Sequence, residues 1–344
     1  MKEAAGEPVN RAGHTGEDFT DRDGNRRREM TDRDSGRFIA ALENDDRDAL
    51  LSCRKSDLHS HAGKACRREW LENRLGKAIP APPAALGGLA GMQAWFTGMI
   101  KSACPDFAGN ILRWEGGFAE AGRNHLARLV MIFGISDISG AGGMEAFSAL
   151  LRSFRQKYCP GTVLEPELTF LSSCDAAEEA EKAEEYFASG FFRSVDVCGG
   201  EDIRPPEAFL PLYRKAERYG LIKRMHAGET GSADDVERAV DTLGLDEVHH
   251  GIGAASSPRL MKILADRKIR LNVCPASNIM LGLVKDYASH PVRILAENGV
   301  PVTVNTDDLL IFGSSAENEY RQLYRAGALT AARLDEIRVR GLQP

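Results

Sequence analysis

The chain has 344 residues, 43% of them hydrophobic, and carries 44 Lys and Arg against 50 Asp and Glu for a formal charge of −6. That length holds one α/β barrel or two smaller domains, and the mild acidity argues against a nucleic-acid footprint or a polybasic membrane surface. No apolar run reaches the ~18 residues of a membrane span, the polar start lacks the apolar core of a signal peptide, and seven scattered cysteines form no CxxC pair, as in a reduced cytoplasmic protein.

Residues 1–34 are charged, Gly-rich and nearly free of large apolar side chains. Such a stretch buries too little surface to offset its ordering entropy, which predicts a disordered tail followed by one domain over residues 35–344. The spacing of Phe38, Leu42, Leu50 and Leu51 predicts a short entry helix. Alternation follows. Strands are predicted at Ser56–His61, Leu129–Ser136, Val163–Leu171, Ser194–Val197, Ile222–His226, Glu247–His250, Ile269–Cys274 and Val300–Asn305. Helices are predicted at Ala176–Ser189, Pro206–Tyr219, Ala233–Leu243, Pro258–Arg267 and Pro291–Asn298. Pro206, Pro258 and Pro291 stand where a first helical turn accepts proline, and Gly220 and Gly299 stand where helices stop. Eight strands alternating with helices fit a parallel (β/α)8 barrel, with a doubly wound sheet as the competing fold. The long stretch from Gly63 to about Ala121 reads as a helical insertion after the first strand, placed over the barrel mouth.

Five of the eight histidines fall in three short segments at predicted strand ends, and a fourth segment supplies carboxylates. His59 and His61 are one residue apart, so strand alternation turns both to one face. His226 is followed by Ala-Gly-Glu229, where Gly228 permits a tight turn and Glu229 reaches the mouth. His249 and His250 should face opposite sides of their strand, with His250, at the strand end, toward the site. Asp307 and Asp308 follow a buried strand, where two adjacent carboxylates repel unless a cation is near. Three imidazoles and one carboxylate suit Zn²⁺, iron(II) or another divalent transition ion, with a place left for water.

Asp57-Leu-His-Ser-His61, Met225-His-Ala-Gly-Glu229, His250-Gly251, Cys274-Pro-Ala-Ser-Asn278 and Asn305-Thr-Asp-Asp308 together resemble the motif series of the adenosine deaminase family. Phe312-Gly-Ser-Ser, Glu319-Tyr and Leu323-Tyr-Arg-Ala-Gly extend the resemblance, which covers roughly residues 50–342. It implies a (β/α)8 barrel with one Zn²⁺ held by His59, His61, His226 and Asp307, and a metal-activated water that attacks the purine carbon bearing the amine. It implies Glu229 as proton donor to the adjacent ring nitrogen. His250 would orient and help deprotonate the water and stabilise its developing charge, and Asp308 would bind the other ring nitrogen. Asp196-Val-Cys-Gly199-Gly-Glu201 is similar to a segment in which the Gly199 N–H would contact the base.

Two departures stand out. Many family members carry Leu-Asp-Gly or Leu-Glu-Gly after the first histidine pair, and this chain has Ala62-Gly-Lys-Ala65 without an acid. Their Arg-Ile-Gly before the later histidine is here Glu247-Val-His249. Lys64, Arg67 and Arg68 stand near where a sugar or phosphate would lie, and also suit a solvated helix face. The expected activity is zinc-dependent deamination of adenosine or a modified adenosine to the inosine-type product plus ammonia. Adenine, a 5′-nucleotide or another aminated heterocycle is the alternative substrate. A non-catalytic barrel relative is the rival, against which Glu229 and His250 argue. The expected partner is a small purine, with no nucleic acid and no membrane; oligomeric state stays open.

Overall fold

The structure, a computed structural model, describes the backbone of residues 24–199 and 204–344 and side chains from Asp34 onward. Eight strands run β1 (Lys55–His61), β2 (Leu126–Gly134), β3 (Val163–Leu171), β4 (Ser194–Cys198), β5 (Ile222–Ala227), β6 (Glu247–His250), β7 (Arg270–Val273) and β8 (Val302–Val304). They lie side by side in chain order, and each neighbouring pair is parallel. The ends of β1 and β8 then meet. Ser60 bridges Asp307, the His61 N–H donates to the Asp307 carbonyl at 3.2 Å, and the Asp307 N–H donates to the His59 carbonyl at 2.9 Å. The sheet closes into the (β/α)8 barrel, not the open doubly wound alternative.

Apolar side chains pack between strands and helices: Leu168, Val195, Val248, Leu271 and Val302 meet residues such as Phe147, Leu212, Val236 and Leu260 in one cluster. Helix boundaries follow local chemistry. Asp175 caps Ala176–Ala188 through the N–H groups of Ala177 and Glu178; Ser232 and Asp235 form a capping box on Ala233–Leu243, which Gly244 ends in the left-handed region.

The barrel interior is polar. Buried Arg224 donates to Glu167 at 2.8 Å, to Ser194 at 2.6 Å and to Glu247 at 2.8 Å, while Arg270 and Asn272 also reach Glu247, at 2.8 and 2.9 Å. Glu247, one of the two departures, is thus matched by arginines from β5 and β7.

Between β1 and β2 the insertion forms helices Arg68–Leu75, Leu89–Trp95 and Phe107–Arg123. Its Leu71, Ile79, Met92 and Phe96 pack with Leu281, Leu310, Ile311 and Phe312 from the loops after β7 and β8, over the mouth as expected. The entry segment differs. It is two helices, Gly24–Glu43 and Arg47–Ser52, because Asp45 turns left-handed (φ 53°) and Asp46 caps the second helix through the Ala49 N–H. The first of these begins inside the stretch expected to be a tail; residues 1–23 of that stretch lie outside the described residues. β2 ends two residues early, where Asp137 accepts from the Gly134 N–H and starts helix Ile135–Gly140. Among the described residues no helix is long and apolar enough to cross a membrane.

Candidate active site

The four segments singled out in the sequence meet at the C-terminal ends of the strands, beside a cavity of about 800 Å³. β1 delivers His59 and His61 with their Nε2 atoms 3.4 Å apart. The end of β5 brings His226 Nε2 to 3.1 Å from His59 Nε2. Asp307, past β8, places Oδ1 3.5 Å from each of the two β1 nitrogens. The stitch that carries Asp307 there is local. Asp57 accepts from the Thr306 hydroxyl at 2.5 Å and the Thr306 N–H at 3.2 Å, and the Leu58 N–H donates to Asn305 at 2.8 Å.

These donor atoms fit a divalent transition ion. With metal–ligand bonds of ~2.0–2.2 Å, a tetrahedral shell has donor–donor edges of roughly 3.3–3.5 Å. The separations above are of that size, too close for four groups with no shared proton or cation. Burial holds His59 and His61 well below their usual pKa, with the neighbouring imidazoles adding to it at His59 and the Lys64 charge at His61, so their nitrogens carry lone pairs. His226 is different. Burial opposes its charge, but Asp196 on β4, 3.0 Å from Nδ1, outweighs burial and raises it to about 9. An ion at Nε2 would take the place of the second proton, and a carboxylate on the other nitrogen fixes the ring and strengthens the ligand. In the sequence Asp196 stands only as the start of the Gly199 segment, and no local spacing links it to His226.

Glu229 follows the Gly228 turn. Gly228 has φ 63°, and a Cβ there would stand 2.2 Å from Val236 Cγ2, so glycine is required. Glu229 Oε1 lies 3.6 Å from His250 Nε2. Burial first, and then Asp307, push Glu229 up to about 8, while burial keeps His250 neutral, down at about 3.

The expectation that His249 and His250 face opposite sides of their strand is corrected, although of the two only His250 lines the cavity. His249 sits in the interior, 2.7 Å from Glu167, with its ring centroid 4.1 Å from that of His59. His250 adopts φ 60°, which breaks strand alternation and returns its side chain to the cavity. Asp307 has φ 59°, so Asp307 and Asp308 both reach the site. A left-handed backbone at a non-glycine residue costs ~1–3 kcal/mol, and here it occurs at two residues of one site.

Asp308 is buried and paired at 2.8 Å with Lys64, which lines the cavity. Arg67 and Arg68 do not line it. Arg67 binds Glu120 through two 2.6 Å contacts, and Arg68 lies near Glu69 and Glu72. Gly199 lies on the cavity wall with φ 99°; Glu201 falls outside the described residues.

Comparison with known proteins bears on this geometry. A family model described as adenosine deaminase matches residues 168–344. A putative adenosine/adenine deaminase of Treponema pallidum is 29% identical over 277 residues, covering 80% of this chain and 93% of that protein. An adenine deaminase of Chlorobium phaeobacteroides is 33% identical over 172 residues, and the aligned stretch spans 50% of each protein. The crystal structure of an adenine deaminase from Arthrobacter aurescens shares the fold, with a TM-score of 0.70 at 20% identity, covering 83% of this chain and 93% of that one.

Proposed function

The chain belongs to the adenosine deaminase family and is a metal-dependent aminohydrolase; on that premise we propose that it removes the exocyclic amine of an adenine-type purine, adenosine or a modified adenosine first, as ammonia. The observation that carries the reading is the convergence of His59, His61, His226 and Asp307 at 3.1–3.5 Å beside Glu229 and His250. An ion held by these four residues, zinc in this reading, would acidify a water at neutral pH and so supply the nucleophile.

The remaining steps belong to the side chains. Glu229 stays protonated at neutral pH because it is buried beside Asp307, so it can give a proton to the ring nitrogen next to the reacting carbon. Protonation there makes the adjacent carbon electrophilic, so that addition of the water oxygen can break the ring conjugation, and the negative charge left on Glu229 faces His250. His250 orients the attacking water. Asp308 and Lys64 bind a second edge of the ring, and the Gly199 N–H bounds the base on the cavity wall. The helical insertion covers the mouth and limits bulk water.

The test is amine release by zinc-replete protein: ammonia from adenine, adenosine and AMP, and methylamine from N6-methyladenosine. Release from one of them by wild type, and much slower release by Glu229→Gln, is expected. Folded, metal-replete protein that releases the amine from none would overturn the reading. A second reading is favoured by Lys64. Where many relatives carry an acid this chain has Gly63, and the next residue is an ammonium, which suits a substrate with an anionic substituent better than plain adenosine.

A further inference from the structure

Behind His250, away from the cavity, lies a chain of hydrogen bonds with one possible direction. It starts at an unambiguous donor, the backbone N–H of Val292, which donates to His290 Nδ1 at 3.1 Å. His290 is buried, and burial pushes it down to about 4, so it is the neutral imidazole with its proton on Nε2. That Nε2–H faces Asn278 Oδ1 at 3.2 Å. With its oxygen committed, Asn278 turns its NH₂ to His250 Nδ1, 3.5 Å away. His250 Nδ1 must then accept.

We propose that Asn278 and His290 are positioning residues that lock His250 in the tautomer with its proton on Nε2, so that a fixed N–H donor points into the cavity. A second observation, independent of the relay, agrees. His250 Nε2 faces the Asp307 carboxylate, with Oδ2 at 3.9 Å, and lies 3.6 Å from Glu229 Oε1. A lone pair aimed at the Asp307 carboxylate is repulsive, and an N–H is attracted to it. The φ of 60° at His250 gives the relay a purpose. The strained backbone brings the ring back to the cavity, and Asn278 then fixes which nitrogen arrives protonated.

The relay assigns work to the motif residue Asn278 and to His290, neither of which the metal chemistry uses. Asn278 sits in helix Pro275–Met280, whose first turn is held by Glu319 through the Ala276 N–H at 3.3 Å. His290 precedes helix Val292–Glu297 and bonds to its first residue. Two elements of the connection between β7 and β8 therefore converge on one imidazole. The catalytic consequence rests on the proposed deaminase reading. His250 acts as a donor toward the attacking oxygen and the charge that develops on it, and does not accept a proton at Nε2 in the resting enzyme.

The test is the two-bond ¹H–¹⁵N spectrum of zinc-loaded protein labelled with ¹⁵N-histidine, with His250 assigned by its loss in His250→Gln. The wild type should show His250 protonated on Nε2 alone. Asn278→Asp places an acceptor at both positions and should switch His250 to the Nδ1–H form, with kcat down at least tenfold and KM little changed. His290→Phe frees the Asn278 amide to flip and should give a mixture of tautomers. A wild-type His250 protonated on Nδ1 overturns the proposal, and so does an Asn278→Asp variant with the wild-type tautomer. The wild-type spectrum decides even if the variants fail to fold. It also decides if no purine is turned over, which would sink the deaminase reading and leave the relay standing.

Discussion

Lys64 Nζ lies 2.8 Å from Asp308 Oδ2, so a cation and an anion stand side by side at the base of the cavity. Burial raises Asp308 to about 7 even with Lys64 opposing it and Asp307 adding to it. Burial also disfavours the charge on Lys64, yet Asp308 more than offsets this and raises Lys64 above its ordinary value. The second oxygen of Asp308 is buried without a protein partner, and so is available to a ligand.

The first prediction tests which partner Lys64 serves. Lys64→Met should lower kcat/KM for a 5′-nucleotide about tenfold to a hundredfold more than for the matched nucleoside, since a charge-assisted hydrogen bond contributes ~1.5–3 kcal/mol. The check is the ratio of the two kcat/KM values in wild type and variant. Equal losses for both substrates would confine Lys64 to holding Asp308.

The barrel and most of its strands are legible in the sequence because short apolar runs alternate with helix signals: β3 and β6 begin and end where the pattern places them. The four donor segments are legible because His-x-His and His-Ala-Gly-Glu carry spacing. The orientation of His249 and His250 was not. Alternation assumes extended backbone, and the left-handed turn at His250 overrides it. Nor could spacing reveal that Arg67 is occupied by Glu120, 53 positions away, while Lys64 three residues earlier reaches Asp308. Charges in one short run look alike until the helix face each occupies is known. The Asp196–His226 and Asn278–His290 contacts join residues that no local pattern links.

The second prediction concerns the ion. Elemental analysis should find about one transition-metal equivalent per chain, and His59→Ala or Asp307→Ala should lose it. Chelation should also lower the melting temperature of wild type, because binding to the folded state adds RT ln(1 + [L]/Kd) to stability. A chelator that strips no metal and leaves both activity and melting temperature unchanged would remove the metal centre from the account.

The third separates proton donor from ligand at Glu229. Its carboxyl group is set 3.6 Å from His250 and is not among the three groups, His61, His226 and Asp307, that crowd His59. Glu229→Gln should therefore keep the metal and lower kcat on the order of 10²-fold, the usual loss with a general acid. Metal lost from this variant would move Glu229 into the ligand set, and an unchanged kcat would take it out of the mechanism.

The last prediction addresses what holds the strands that present the site. Arg224 on β5 is fully buried and is bonded to Glu247 and Glu167, and Glu247 also receives Arg270 and Asn272. Burial alone would raise Glu247; Arg224 and Arg270 more than reverse that and hold its carboxyl far below the usual range. A carboxylate whose folded pKa is depressed contributes stability that is fully present above its unfolded value of ~4.3 and is lost as pH falls toward the folded value. Glu247→Gln leaves Arg224 short of a counter-charge in the barrel interior, so it should cost about 3–5 kcal/mol at neutral pH. Every other carboxylate titrates in both proteins, so the difference between them isolates Glu247. Unfolding measured in urea from pH 7 down to pH 3 should show a wide gap that is constant above pH ~5 and narrows below pH ~4. A gap that is small at pH 7, or that does not change with pH, would mean that the buried charges are balanced without Glu247.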